Sequence, residues 1–261
     1  MEQERGHFSS KVGFILAAAG SAVGLGNLVT FPVMASKNGG AAFLIVYLFF
    51  IALICYPVMM AEIAMGRNTT RNPVGAFSKL SDRSMWWRFA GMLAILTPFM
   101  IAVFYTVITV WLVVYIKEIS FGGLEYLSYD TTFSEVVARP SLFVYLVFLL
   151  ALVFFILLGG VRGGIERLAR VLMPTLALML VLLTIFVLTL DNASAGIIYY
   201  LVPDFSKVNL SVINGALSQA FFSLSLGMGI LITYGSYFSK QDSIPQSTRM
   251  VAVADTSIAF F

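Results

Sequence analysis

The sequence predicts an all-α polytopic membrane protein, and three observations carry the prediction. First, 59% of the 261 residues are apolar and only 11% are charged, against about 25% charged in an ordinary soluble domain. Second, the charges leave six uncharged stretches, each as long as the roughly 20 helical residues needed to cross a bilayer core. Third, lysine and arginine gather in alternate loops between those stretches, as in a chain threaded back and forth through a membrane. The same composition excludes a soluble enzyme, a disordered tail and a nucleic-acid-binding domain. The net charge of +3 reflects scarce ionisable groups, not a basic surface. With one cysteine, Cys55, and one histidine, His7, an internal disulfide, a cysteine metal site and a histidine cluster are excluded.

Taken in order, residues 1–11 form a charged N-terminal segment. Spans are expected at about 12–36, 41–66, 89–116, 141–159 and 168–190. A loop over 191–211 follows, then a sixth span over 212–239. A seventh apolar segment opens near Met250 and reaches Phe261, too short to cross. The first span is too long for a signal peptide, has acidic residues ahead of it and is followed at once by another span.

Loop charge sets the orientation. Arg67, Arg71, Lys79, Arg83 and Arg88 follow the second span, and Arg162, Arg167 and Arg170 follow the fourth. With Arg5, Lys11, Lys240 and Arg249, twelve of the sixteen basic residues share one face. Lys37, Lys117, Arg139 and Lys207 share the other with Glu118, Glu125, Asp130, Glu135, Asp191 and Asp204. This places the N-terminus in the cytoplasm; the cell (inner) membrane is the expected location. Trp86, Trp87 and Trp111 read as interfacial anchors.

Two spans carry a break in their middle. The first contains Gly20-Ser21-Ala22-Val23-Gly24-Leu25-Gly26-Asn27, with Pro32 beyond; the sixth contains Ser223-Leu224-Ser225-Leu226-Gly227-Met228-Gly229. Glycine weakens helix, and Ser and Asn supply oxygen ligands. Close helix packing explains one such cluster, because Gly20 and Gly24 form a small-xxx-small pair. Two clusters five spans apart, in helices of opposite direction, fit an inverted repeat in which spans one and six are counterparts. Paired interruptions of that kind point to a transporter binding site at mid-membrane. Unwinding frees backbone carbonyls for a hard cation such as Na⁺, and half-helix N-termini suit a carboxylate. A Gly-rich phosphate loop fails here, since no soluble strand precedes the glycines.

The stretch Gly20 to Pro32, GSAVGLGNLVTFP, resembles the first helix of the sodium:neurotransmitter symporter family, in particular its bacterial amino-acid members. Asn38-Gly39-Gly40-Ala41-Ala42-Phe43 with Tyr47, and Pro57 through Glu62 to Gly66-Arg67, resemble that family's second helix. Gly164-Ile165-Glu166-Arg167 with Met173-Pro174 is similar to its fourth-to-fifth link. Pro203-Asp204-Phe205 and Gln219 through Gly229 resemble the sixth helix and its approach. The match covers essentially the whole chain in order. It implies an inverted-repeat amino-acid transporter fold with a 5+5 core. The first repeat is complete over 12–190, and the second begins over 212–261 and is truncated.

The resemblance further implies two sodium sites and a central amino-acid site. One sodium would take the Ala22 carbonyl, Asn27, Ser223 and Asp255, completed by the substrate carboxylate. The other would take the Gly20 and Val23 carbonyls, with further ligands from an eighth helix. Substrate would meet Gly24, Gly26, Tyr105, Phe222 and Ser225, with Ile101 and Met228 beside its side chain. Gly24 stands where monoamine transporters have an aspartate, which favours an amino acid over an amine, and Ile101 and Met228 suit an apolar or aromatic one. Arg5, Glu62, Tyr47 and Gln219 fall at gating or structural positions.

Two readings stand for Glu62: a brace for the unwound segments, or a handler of ions or protons. Two stand for Asp255: a juxtamembrane charge, or a sodium ligand where the family usually has asparagine. In the second case its carboxylate would supply the charge that chloride provides in relatives, so chloride is not expected to be required. Val29-Thr30 replace the family's usual Trp-Arg, which removes its outer-gate ion pair, and Phe8 stands where tryptophan is common. The expected function is sodium-coupled amino-acid symport by alternating access across the plasma membrane, with these 261 residues inactive alone. The alternative is a non-transporting membrane fragment or assembly partner. No His, Cys or paired-carboxylate constellation in the spans suggests an enzyme.

Overall fold

The first of the two interruptions sets the architecture. In a computed structural model, which describes residues 8–82 and 84–261, helix α1 (Lys11–Ala22) starts at Ser10, whose hydroxyl accepts the Gly13 N–H at 3.0 Å. It stops at the glycines. The chain resumes as a π-helical turn, Gly26–Thr30, that runs into α2 (Phe31–Lys37), bent 57° from α1. Every regular element among the described residues is helical.

The second span is one apolar rod of three pieces: α3 (Ala41–Phe50), a π-turn (Ile51–Cys55) and α4 (Tyr56–Thr69). The π-turn sits just before Pro57, which lacks an N–H and cannot close a regular turn. Surface helix α5 (Pro73–Leu80) follows, N-capped by Asn72, and then the 36-residue α6 (Met85–Ser120). It begins before residue 89, so Trp86, Trp87 and Arg88 lie within it. Short helices α7 (Leu124–Leu127) and α8 (Thr132–Val137) lead to α9 (Leu142–Leu158), 17 residues long. Another π-turn, Val161–Glu166, opens α10 (Arg167–Leu188), so this apolar helix starts ahead of residue 168 and takes Arg162 and Glu166 into its first turns.

After α11 (Ala193–Leu201), the expected sixth span is two helices, α12 (Leu210–Ser223) and α13 (Ile230–Gly235), with 224–229 unwound between them. Ser225, Gly227 and Gly229 take φ of +54°, +74° and +67°, left-handed values that two glycines make accessible and one serine does not. The last helix, α14 (Ile244–Phe260), begins well before Met250. Pro245 suits a first helical turn, and the charge of Arg249 hides that start from an apolar scan.

The core gathers α1, α3, α4, α12, α13 and α14. Phe31 packs on Phe43 and Tyr47 with ring centroids 5.9 and 4.9 Å apart, and Phe14 packs on Phe238 at 4.4 Å. Helices α4 and α13 touch through glycine. A methyl on Gly66 would fall 2.0 Å from the Ile232 carbonyl oxygen, and one on Gly235 would fall 2.5 Å from that of Ile63. Helix α9 buries no residue and α10 buries only Met173. Such broad exposed apolar faces suit lipid, not water. The structure is that of a multi-pass membrane protein.

Candidate functional site

Both interruptions meet. The Asn27 side chain, 1% exposed, donates from Nδ2 to Asp255 Oδ1 at 2.8 Å and to Ser223 Oγ at 3.1 Å. Ser223 in turn donates to Asp255 Oδ2 at 2.7 Å. Asp255 is fully buried, so the juxtamembrane reading of that acid is wrong: α14 starts early enough to carry it into the core. The Gly24 N–H, which an unbroken helix would give to Gly20, turns to Asn27 Oδ1 at 3.2 Å. That frees the Gly20 carbonyl. The result gathers an amide, a hydroxyl and a carboxylate, each bearing oxygen, beside the chain break that follows Ala22.

Two further side chains hold the broken backbone. Gln219 Nε2 donates to the Gly26 carbonyl at 3.0 Å, tying α12 to the first interruption. Glu62 Oε1 accepts the Gly227 N–H at 2.7 Å, tying α4 to the second. This geometry is that of a brace. Tyr47 is fully buried against the Phe31 and Phe43 rings beside this cluster.

Next to the oxygen cluster is a cavity of about 320 Å³. Gly24, Gly26, Tyr105, Phe222, Ser225 and Met228 all line it, as does Ile101. Tyr105 lies over Gly24, 3.5 Å from where a Cβ would stand. Pro98, Ala102 and Ile230 also line the cavity and were not among the sequence candidates. A signal existed for two of them, because Pro98 and Ala102 share the helical face of Ile101 and Tyr105. Gly20 and Val23 also border a second cavity of about 490 Å³ between α1 and α10. Arg5 lies outside the described residues.

Sequence reasoning missed a third cluster. Glu166, 1% exposed, accepts the Ser9 N–H at 2.9 Å, the Ser9 hydroxyl, and Arg170 Nη2 at 2.6 Å. Arg170 also donates to Ser10 Oγ at 3.0 Å. The group clips the start of α1 to the start of α10 across 157 residues.

Comparison with known proteins gives these features a context. The family model for the sodium:neurotransmitter symporter family matches residues 5–136 and 134–261. The chain belongs to the sodium:neurotransmitter symporter family. Family relatives include uncharacterised sodium-dependent transporters of Bacillus subtilis, 38% identical over 97% of this chain, and of Methanocaldococcus jannaschii, 36% identical over 98%. The alignments cover 56% and 54% of those proteins, so the chain spans about half their length. The crystal structure of MhsT in complex with L-phenylalanine superposes with a TM-score of 0.85 at 41% identity, over 98% of this chain and 59% of that one. The fold is therefore the transporter fold of this family, and the relatives are named as transporters, not enzymes.

Proposed function

We propose that the complete transporter carries amino acids into the cell with sodium, by alternating access, with its N-terminus in the cytoplasm of the inner membrane. The observation that carries this reading is the Asn27–Ser223–Asp255 cluster, in which side chains from the first interruption, the end of α12 and α14 meet. Hard oxygen ligands with one carboxylate suit Na⁺. One sodium takes Ala22, Asn27, Ser223 and Asp255; a second takes the Gly20 and Val23 carbonyls. A substrate carboxylate beside Gly24 and Tyr105 completes the first site, so each ligand strengthens the other's binding. Arg5 and Tyr47 serve as gating or structural residues.

The substrate side chain lies against Pro98, Ile101, Ala102 and Met228, an apolar wall that suits an apolar or aromatic amino acid. That MhsT was solved with L-phenylalanine supports the same class. Asp255 supplies a fixed negative charge, so chloride is not needed, although a Xenopus laevis relative at 26% identity is named sodium- and chloride-dependent.

In proteoliposomes of the complete transporter, an inward sodium gradient should drive L-phenylalanine accumulation, in gluconate as well as in chloride. Uptake unchanged on replacing sodium by choline would refute the coupling. Collapse in gluconate would refute the role of Asp255. The 261 residues alone should not accumulate substrate, because the cavity beside Gly20 and Val23 is walled mainly by apolar side chains and offers few ligands for a second ion.

A further inference from the structure

Away from the central site, the second span and α14 enclose a cleft of about 800 Å³. Leu48, Ile51, Ala52, Val253, Ser257 and Phe260 line it, and its wall is overwhelmingly apolar. Leu48 and Val253 are 48% and 58% exposed, so the cleft opens on the outer face of the described helices. At one end stands Arg249. It is exposed, and no carboxylate pairs with it among the described residues. Beside it, the Tyr56 hydroxyl donates to the Pro245 carbonyl at 3.0 Å and closes the cleft's polar end. Arg249 lies about one and two-thirds turns before the buried Asp255, about 9 Å along the helix axis.

An apolar trough ended by one uncompensated guanidinium has the shape and polarity of a phospholipid. A purely apolar helix packed there would bury that guanidinium unpaired, which is costly. A zwitterionic lipid brings its own cation to the same spot. A phosphate of net negative charge offers oxygens that the guanidinium fork engages in pairs. We infer that this cleft binds one anionic phospholipid, with an acyl chain between the second span and α14 and its phosphate on Arg249. The inference rests only on the chain's place in a membrane, so it stands or falls apart from transport.

Native mass spectrometry of the detergent-solubilised chain, given equal amounts of phosphatidylglycerol and phosphatidylcholine with matched chains, tests it. One phosphatidylglycerol should be retained in preference. Arg249→Gln should lower that retention about fivefold, the factor one basic residue is worth at an anionic surface, and leave phosphatidylcholine unchanged. Val253→Trp, which fills the trough, should lower both. Arg162→Gln removes another exposed cation and should change neither. If Arg249→Gln misfolds, Arg249→Lys, which keeps the charge and loses the fork, should give intermediate retention. Wild-type retention in the Arg249 variants, or indifference to Val253→Trp, would overturn the site. Displacement of the lipid by inorganic phosphate alone would overturn it equally, since that would mark a free-anion site.

Discussion

The Gly227 N–H donates to Glu62 Oε1 at 2.7 Å, so the acid of the second span satisfies the broken backbone of the sixth. Removing it leaves a buried N–H without a partner, which costs about 1–3 kcal/mol. Glu62→Ala should therefore lower thermal stability in detergent by that amount. Glu62→Gln, which keeps a carbonyl oxygen, should lose much less. Equal unfolding temperatures for Glu62→Ala and wild type would rule out the brace.

The Glu62 contact depends on how closely α4 and α13 approach. Gly66 leaves no room for a methyl group, since the nearest atoms are the Ile232 carbonyl oxygen at 2.0 Å and the Ser236 nitrogen at 2.8 Å. Backbone cannot rotate aside as a side chain can. Gly66→Ala should destabilise the protein by about 1–3 kcal/mol, the usual cost of overpacking, despite alanine's better helix propensity. A stabilised Gly66→Ala variant would contradict the close contact.

Asp255 receives hydrogen bonds from both Asn27 and Ser223. Asp255→Asn keeps the shape of the side chain and loses its charge. Sodium-dependent binding of L-phenylalanine to the complete transporter should weaken by about 5- to 150-fold, equivalent to about 1–3 kcal/mol. If the carboxylate replaces chloride, adding chloride to Asp255→Asn should recover part of the loss. An unchanged sodium titration by scintillation proximity would remove Asp255 from the ion site.

Glu166 and Gly13 form a fitted pair. A Cβ on Gly13 would stand 1.9 Å from Glu166 Oε1, and three hydrogen bonds hold that carboxylate in place. Gly13→Ala should destabilise wild type and speed proteolysis near residue 9. In a Glu166→Ala background the same change should be neutral or stabilising by up to about 1 kcal/mol, alanine's helix advantage over glycine. Additive effects across this double-mutant cycle would show that the two sites do not interact.

Much of the membrane architecture was legible because charge is so scarce that its gaps mark helices. The gaps misled wherever a charge sits inside a helix. Arg249 hid the start of α14, and Arg162 and Glu166 hid the π-turn that opens α10. The two interruptions were legible from glycine clusters, and Asn27, Ser223 and Asp255 from the family resemblance. What sequence could not reveal was which partners the oxygens take. Asp255 lay five residues into an apolar stretch by composition, yet its burial depends on the unseen first turns of α14. The Ser9–Glu166 clip links residues 157 apart, and no local pattern marks a pair so distant. Pro98 and Ala102 differ: periodicity alone placed them on the face of Tyr105.

The Asn27–Asp255 hydrogen bond joins residues separated by 228 positions. At about 5–20 residues per second, the ribosome needs on the order of tens of seconds between the two. A first span already unwound through that interval would leave its freed carbonyls unmatched, a costly state in hydrocarbon. The cluster therefore assembles only after α14 has been made. Until α14 arrives, water, the insertion machinery or a provisional helical form of residues 20–27 must shelter that break.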